Sequence, residues 1–257
     1  MRRAAVVPHG KAERLGDALA RLERVAADAG VELVDADGEP DVAIVLGGDG
    51  TMLRALHAFL GTDVPVFGVN FGRVGFLTSV DESQLEDAAA RVFAGEYRVA
   101  ELATLRADVG GHSYPAINDA VATSGRLGRI IELGWDVGGE DLGAHRCDGV
   151  ICASPSGSTA YNLSNGGPVL MWGLDAMAIS FVAPHTLHAR PLVVPRGLVL
   201  GIENRTDGVP VAVLADGHRI GELAPGERLE VGLGEQRTRL ALLPEVTFFT
   251  RYHEVFP

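Results

Sequence analysis

Lysine is almost missing from this chain: of 22 basic residues only Lys11 is a lysine, and every other is an arginine. A Walker-type phosphate loop needs a lysine after its last glycine, and a protein-kinase lysine or a Schiff-base lysine is equally hard to accommodate. Phosphate handling must therefore come from backbone N–H groups, arginines or a metal ion. Cysteine is scarce too. Cys147 and Cys152 sit at odd spacing in one strand-like stretch, so they should face opposite sides of it. They read as reduced, small, buried residues of a cytoplasmic protein. Basic charge is short overall, 22 residues against 34 acidic ones, for a net charge of −12 and a pI near 5.1. That balance argues against a nucleic-acid surface. No apolar run is long enough to span a bilayer, and Ala4 to Pro8 after Met1-Arg2-Arg3 is too short for a signal peptide. The dinucleotide fingerprint of three spaced glycines is absent after the first strand.

What is present is an ordinary globular mixture, 47% hydrophobic and 22% charged over 257 residues, enough for one large domain or two modest ones. Arg3–Pro8 reads as a strand. Leu15, Ala18, Leu22, Val25 and Ala29 give Ala12–Ala29 a helical spacing that stops at Gly30. Val31–Val34, Val42–Leu46 and Val64–Val69 are further strands. A helix should follow Thr51, and another should run from Ser79 to Ala94 with a Leu85, Ala89, Val92 stripe. Alternating β and α elements over residues 1–95 predict a doubly wound, Rossmann-like parallel sheet. From residue 96 to 237 short β runs follow one another across the pairs Gly110-Gly111, Gly138-Gly139 and Asp216-Gly217, the signature of an antiparallel all-β domain. Residues 238–257 are either a last β element or a segment returning to the first domain.

The turn Gly47-Gly48-Asp49-Gly50-Thr51 follows directly on the branched, buried-type run Val42–Leu46. Its glycines let the backbone approach a ligand closely, and Thr51 as N-cap would aim the free N–H groups of Met52–Leu60 back at the turn. Asp49, one acid among those donors, suits a hydroxyl or proton beside a phosphate better than the phosphate itself. The alternative is an Asp-capped strand-to-helix turn.

A second polar block, Ser154-Pro-Ser-Gly-Ser-Thr-Ala-Tyr-Asn-Leu-Ser164, should follow a strand at Gly149–Ala153. Its hydroxyls and N–H groups would gather at the start of a helix beginning near Ser158, with Tyr161 as a stacking face; the bland reading is a helix cap. Arg146 and Asp148, two apart on a strand, would share one face and grip a ligand or pair across strands. Asn118-Asp119 suits ribose hydroxyls or an Asx turn. His185 and His188 lack a third ligand nearby and fit a structural loop rather than zinc. Ser156 and Ser158 lack the flanking glycines of a hydrolase elbow.

Taken together, Gly47–Thr51, the loop Asn70-Phe-Gly-Arg-Val-Gly-Phe-Leu-Thr78, Asn118-Asp119 and the Ser154–Ser164 block resemble the ATP–NAD kinases. Pro184-His-Thr-Leu187, Arg190-Pro191 and Val194-Pro195 resemble them too. The turn alone is shared with phosphofructokinases and lipid kinases; the Ser-Thr-Ala-Tyr-Asn-Leu-Ser string is more selective. The resemblance implies transfer of the ATP γ-phosphoryl group to the 2′-hydroxyl of the adenosine ribose of NAD, a divalent cation such as Mg²⁺, and a homodimer or homotetramer. It implies Asp49 as proton acceptor, Gly50 lining the same site and Arg54 assisting with phosphates. Asn118, Asp119, Arg129, Arg146, Asp148, Thr159, Ala160, Tyr161, Asn162, Leu163, Ser164 and His218 fall at its NAD-contacting positions, which would make the β domain the NAD-binding one. Three positions depart from the family pattern: Asp119 stands for its usual Glu, Ser156 for its Thr, and His218 for a common Gln or Asn. The competing readings are a lipid or sugar kinase sharing the turn, and a nucleotide-binding sensor without catalysis.

Overall fold

The computed structural model describes residues 1–9, 16–72 and 75–256. The chain divides into two compact units, residues 1–102 with 237–257, and residues 103–236. Lys11, the stretch Ala12–Leu15 of the expected first helix, and Arg73 and Val74 lie outside the described residues.

The first unit opens with β1 (Arg3–Pro8), α1 (Gly16–Ala29), β2 (Glu32–Val34), β3 (Val42–Leu46), α2 (Asp49–Ala58) and β4 (Val66–Asn70). A two-residue strand, β5 (Val80–Asp81), a 3₁₀ turn at Glu82–Gln84 and α3 (Leu85–Phe93) follow. The expected helix from Ser79 thus starts later. Val80 is buried and pairs with Val69 of β4, and the Asp81 N–H donates to Gln84 Oε1 at 3.3 Å, a capping arrangement that turns the chain into the helix. Pairing is parallel from β2 to β1, β3 and β4. Every residue of β3 and β4 is buried, as expected for a parallel sheet covered on both faces. On one face Ile44, Leu46, Phe67 and Val69 meet Leu22 and Ala26 of α1 and Leu85, Ala89 and Val92 of α3. On the other lies α2, where a Cβ on Gly68 would stand 2.5 Å from Met52 Sδ.

The second unit is all β apart from one short helical segment. Its strands are β6 (Arg98–Val109), which begins in the first unit, then β7 (His112–Ala116), β8 (Asp119–Ser124), β9 (Ile131–Val137), β10 (Glu140–Cys147) and β11 (Gly149–Ala153). After a 3₁₀ turn at Gly157–Thr159 and α4 (Tyr161–Ser164) come β12 (Ala176–Val182), β13 (Leu192–Pro195), β14 (Leu200–Asn204), β15 (Val211–Ala215), β16 (His218–Leu223) and β17 (Arg228–Leu242). Six strands form one antiparallel sheet in the order β13-β12-β11-β8-β15-β16, while β10-β9-β14-β17 run together in another. Period-two apolar positions line the core between them: Ala120 and Ala122, Val150 and Cys152, Met177, Ile179 and Phe181, Val211 and Val213, opposed by Ile131, Leu133, Leu200, Ile202, Leu229 and Val231. Both glycine pairs and Asp216-Gly217 turn hairpins with positive φ at each central residue. Cys147 ends β10 and Cys152 lies in β11, so they belong to different sheets rather than to one strand, and both are buried and unbonded.

The end of β17 lies in the first unit, where Leu240 and Ala241 pair in parallel with Val66 and Phe67 of β4. The chain closes with α5 (Phe248–Val255), capped by Thr247, whose Oγ1 accepts the Thr250 N–H at 3.1 Å. No helix of the described residues is long and apolar enough to cross a membrane.

Candidate active site

In the first unit the glycine–aspartate turn sits at the C-terminal end of β3, where ligands of open α/β sheets collect. Helix α2 begins at Asp49 with Gly48 as N-cap, two residues before Thr51. Thr51 is buried inside the first turn, where its hydroxyl lies 3.1 Å from His9 Nδ1. It fills the space beside Gly47, where a Cβ would come within 2.5 Å of Thr51 Oγ1. Gly48 and Gly50 are different: a Cβ at either would meet nothing within 4 Å. Packing within the protein does not demand glycine at these two positions, and the backbone there is left uncovered by the chain's own side chains.

The Asp49 carboxylate is held on both oxygens. Oδ2 accepts the Phe76 N–H at 2.7 Å and Oδ1 the Leu77 N–H at 3.1 Å. Each oxygen keeps a further lone pair for a ligand. Gly75 is obligatory here, because a Cβ would lie 2.1 Å from Asp49 Oδ1. Arg54, one turn along, is exposed and donates to the Pro8 carbonyl at 3.2 Å. These donors to Asp49 were legible in sequence only as part of the Asn70–Thr78 motif; nothing in the motif says which atom they serve.

In the second unit the antiparallel registers Ala153↔Asp119 and Ala215↔Ala120 bring three segments to one end of the six-stranded sheet. They are Asn118-Asp119, the block Ser154–Ser164, and the hairpin turn Asp216-Gly217-His218. Asp216, read in sequence only as a turn former, organises this end. Its carboxylate accepts the N–H groups of Ile117 and Asn118, each at 2.7 Å, and of Asp119 at 3.0 Å. Asp119 is buried, and that burial, with the negative Asp216 second, pushes its carboxyl up to about 7. Asn118 Oδ1 is buried with no hydrogen-bond partner among the described residues, an acceptor that a ligand hydroxyl or amide would satisfy. His218 is exposed beside them, with Nδ1 3.1 Å from the Asp216 carbonyl.

Much of the serine-rich block is committed internally rather than offered to a ligand. Ser154, Ser156 and Ser158 are buried. The hydroxyls of Ser154 and Ser156 both donate to the Ile117 carbonyl, and Ser158 Oγ reaches the Pro155 carbonyl at 2.7 Å. Gly157 lets this loop lie on the Asn118 backbone, since a Cβ would sit 1.9 Å from the Asn118 carbonyl oxygen. Asn162, expected among the NAD contacts, uses its amide on the Ser158 and Pro168 carbonyls and accepts from Ser180 at 3.1 Å. Tyr161 and Ser164 are exposed, and Thr159, Ala160 and Leu163 half-buried. The helix expected from Ser158 is a 3₁₀ turn plus the four-residue α4.

Arg129, Arg146 and Asp148 fall elsewhere. Asp148 lies in the bend between β10 and β11, not two along a strand from Arg146, so the expected shared face does not exist. Since Gly149 pairs with Thr123 and Val182, these residues stand at the opposite end of the six-stranded sheet from Asn118, Asp119 and His218. Five residues of strand separate the two ends, on the order of 17 Å. Among the described residues none of Arg54, Arg129 and Arg146 has a carboxylate at ion-pair distance.

The model of the ATP-NAD kinase N-terminal domain matches residues 21–97, and that of the C-terminal domain residues 117–243. The chain belongs to the ATP-NAD kinase family. The NAD kinase of Symbiobacterium thermophilum is 39% identical over 217 residues, 82% of this chain and 77% of the relative. That of Heliobacterium modesticaldum is 37% identical over 240 residues, 91% of this chain and 85% of the relative. Among solved structures, the NAD kinase of Archaeoglobus fulgidus in complex with ATP matches with a TM-score of 0.74 at 26% identity, covering 99% of this chain and 97% of that one. Yeast NADH kinase complexed with NADH gives a TM-score of 0.86 at 19% identity, over 99% and 87% of the two chains; at that identity it supports the fold alone. An α/β N-terminal unit followed by an antiparallel β unit is the architecture of this family.

Proposed function

We propose that this family member phosphorylates NAD with ATP at the 2′-hydroxyl of the adenosine ribose, with Asp49 as the group that takes the hydroxyl proton. The observation that carries the role is the Asp49 carboxylate, gripped by two backbone N–H groups at the end of β3 and keeping lone pairs for a substrate. A ribose hydroxyl is a poor nucleophile until its proton is transferred, and a base at hydrogen-bond distance accelerates that step. In the reaction the 2′-oxygen bonds to the γ-phosphorus, the bond from phosphorus to the β–γ bridging oxygen breaks, ADP leaves, and Asp49 holds the proton. Open backbone at Gly48 and Gly50, at the N-terminus of the ten-residue α2, suits phosphate oxygens, which the helix dipole favours. Arg54 adds the positive charge that a lysine supplies in other phosphate sites.

Asn118, Asp119, His218 and the exposed edge of Thr159–Ser164 form the NAD-binding cluster in this reading, with the orphaned Asn118 oxygen and the buried Asp119 carboxyl as ribose acceptors. Arg129, Arg146 and Asp148 stand apart from it in one copy of the chain, which supports the homodimer or homotetramer implied by the resemblance, to be checked by sedimentation. A divalent cation such as Mg²⁺ fits the donor set. No cluster of three or more His, Cys, Asp or Glu that would hold a metal occurs among the described residues, and Mg²⁺ commonly takes its ligands from water, substrate phosphates and one or two carboxylates, Asp49 being the carboxylate of the turn. When bound, such an ion neutralises phosphate charge. Unpaired, buried Cys147 and Cys152 suit the reducing cytoplasm.

The test is incubation with ATP, Mg²⁺ and NAD, reading NADP. Asp49→Asn should bind NAD normally and lose about 10²- to 10⁴-fold in turnover. A variant with wild-type turnover would reduce Asp49 to a structural cap, and NAD binding without any product from the wild type would promote the sensor reading.

A further inference from the structure

Helix α5 carries a buried arginine that packing alone does not explain. Arg251 is 7% exposed. Its Nη1 meets Glu254 at 2.6 Å, a carboxylate that is itself half exposed, and its Nε is buried with no hydrogen-bond partner among the described residues. Removing a guanidinium from water is costly unless its donors are well used, so a structural post of similar length would be better filled by Met or Leu. What Arg251 does engage is the Gly75 carbonyl, through Nη2.

That carbonyl is one end of a single rigid peptide group whose other end is the Phe76 N–H, the donor to Asp49 Oδ2 at 2.7 Å. A guanidinium, one peptide plane and the Asp49 carboxylate therefore form a continuous line. A cation on the carbonyl polarises the peptide and strengthens its N–H as a donor. The same helix and the residue that ends it also pack on the ring beside that peptide: the Phe76 centroid lies 5.4 Å from that of Phe248 in α5 and 6.1 Å from that of Phe256 just after it. Gly75 keeps the peptide against Asp49 by having no Cβ.

We infer that Arg251 is a positioning residue for Asp49, acting from the C-terminal helix through the Gly75–Phe76 peptide. This rests on Asp49 being the proton acceptor, and the experiment separates the two. Arg251→Gln keeps a neutral donor of similar reach. It should lower kcat about tenfold with KM for NAD within about twofold, while Arg251→Lys, which keeps the charge but not the fork, falls between it and wild type. Both substitutions are then combined with Asp49→Asn. If Arg251 works through Asp49, neither lowers the residual rate further in that background, because the group it positions is already gone. Loss by the same factor in both backgrounds means a merely structural role and overturns the inference, as does wild-type kcat in either single variant. Should Arg251→Gln not fold, as judged by its melting curve, Arg251→Lys and its cycle decide alone. Failure of the underlying reading looks different: Asp49→Asn itself would then turn over like wild type.

Discussion

Single residues in this chain are set by what surrounds one or two atoms. Asp119 shows it best. An aspartate in an unfolded chain titrates near 3.9, whereas burial, and then the charge of Asp216, push Asp119 up to about 7. Between those values the folded protein holds a proton that the unfolded chain has released. Stability from this group should therefore fall as pH rises from about 4 to about 7 and be level outside that window, a change of up to about 4 kcal/mol. Denaturant titrations of wild type and Asp119→Asn across that range check it: the substitution should remove the slope and stabilise the protein at pH 8. If the two pH curves run parallel, the carboxyl is not held in this state. The identity of Asp119 as a candidate was plain in the sequence, but its protonation was not, because that depends on residues almost a hundred positions away. Gly50 and Gly75 make the same point. Both glycines lie in recognisable motifs, yet only the tertiary structure shows that Gly75 is required by Asp49 and that a Cβ at Gly50 would meet nothing within 4 Å.

At the scale of elements, local chemistry foretold the turns better than the helix starts. Asp216-Gly217 forms its hairpin with φ of 47° and 78°, as the pair demands. The same aspartate then serves as acceptor for the N–H groups of Ile117, Asn118 and Asp119. Asp216→Asn keeps the tolerance for positive φ while giving up one charged acceptor oxygen. It should cost about 1–3 kcal/mol in denaturant unfolding and weaken NAD binding, by loosening the Asn118-Asp119 segment. Unchanged stability would mean that those bonds are made equally well to solvent. Helix α2, by contrast, begins at Asp49 and not after Thr51, because the Gly48 carbonyl already accepts from the Thr51 and Met52 N–H groups. A threonine before an apolar run looks like a cap; here its hydroxyl turns to His9 instead.

For the whole molecule, the two thiols report on the core. Cys147 and Cys152 both lie fully inside the second unit, and burial pushes the Cys147 thiol up to about 12, with Cys152 displaced the same way. A thiolate is the reactive species, so the native protein should label with a thiol reagent only as fast as it unfolds, and both cysteines should react at once in denaturant. Rapid labelling of either thiol in the native state would contradict the packing of β10 and β11. The order of elements, the change from alternating α and β to serial β, and the glycine–aspartate turn all follow from local periodicity and backbone preference, which the sequence by itself determines. What tertiary structure alone decided is how sequence-distant groups meet or part: Phe76 and Leu77 on Asp49, Arg251 on Gly75, Asp216 on Asn118-Asp119, and Arg146 and Asp148 at the end of the six-stranded sheet away from Asn118-Asp119. Those contacts depend on strand register and long-range packing, and no local pattern encodes them.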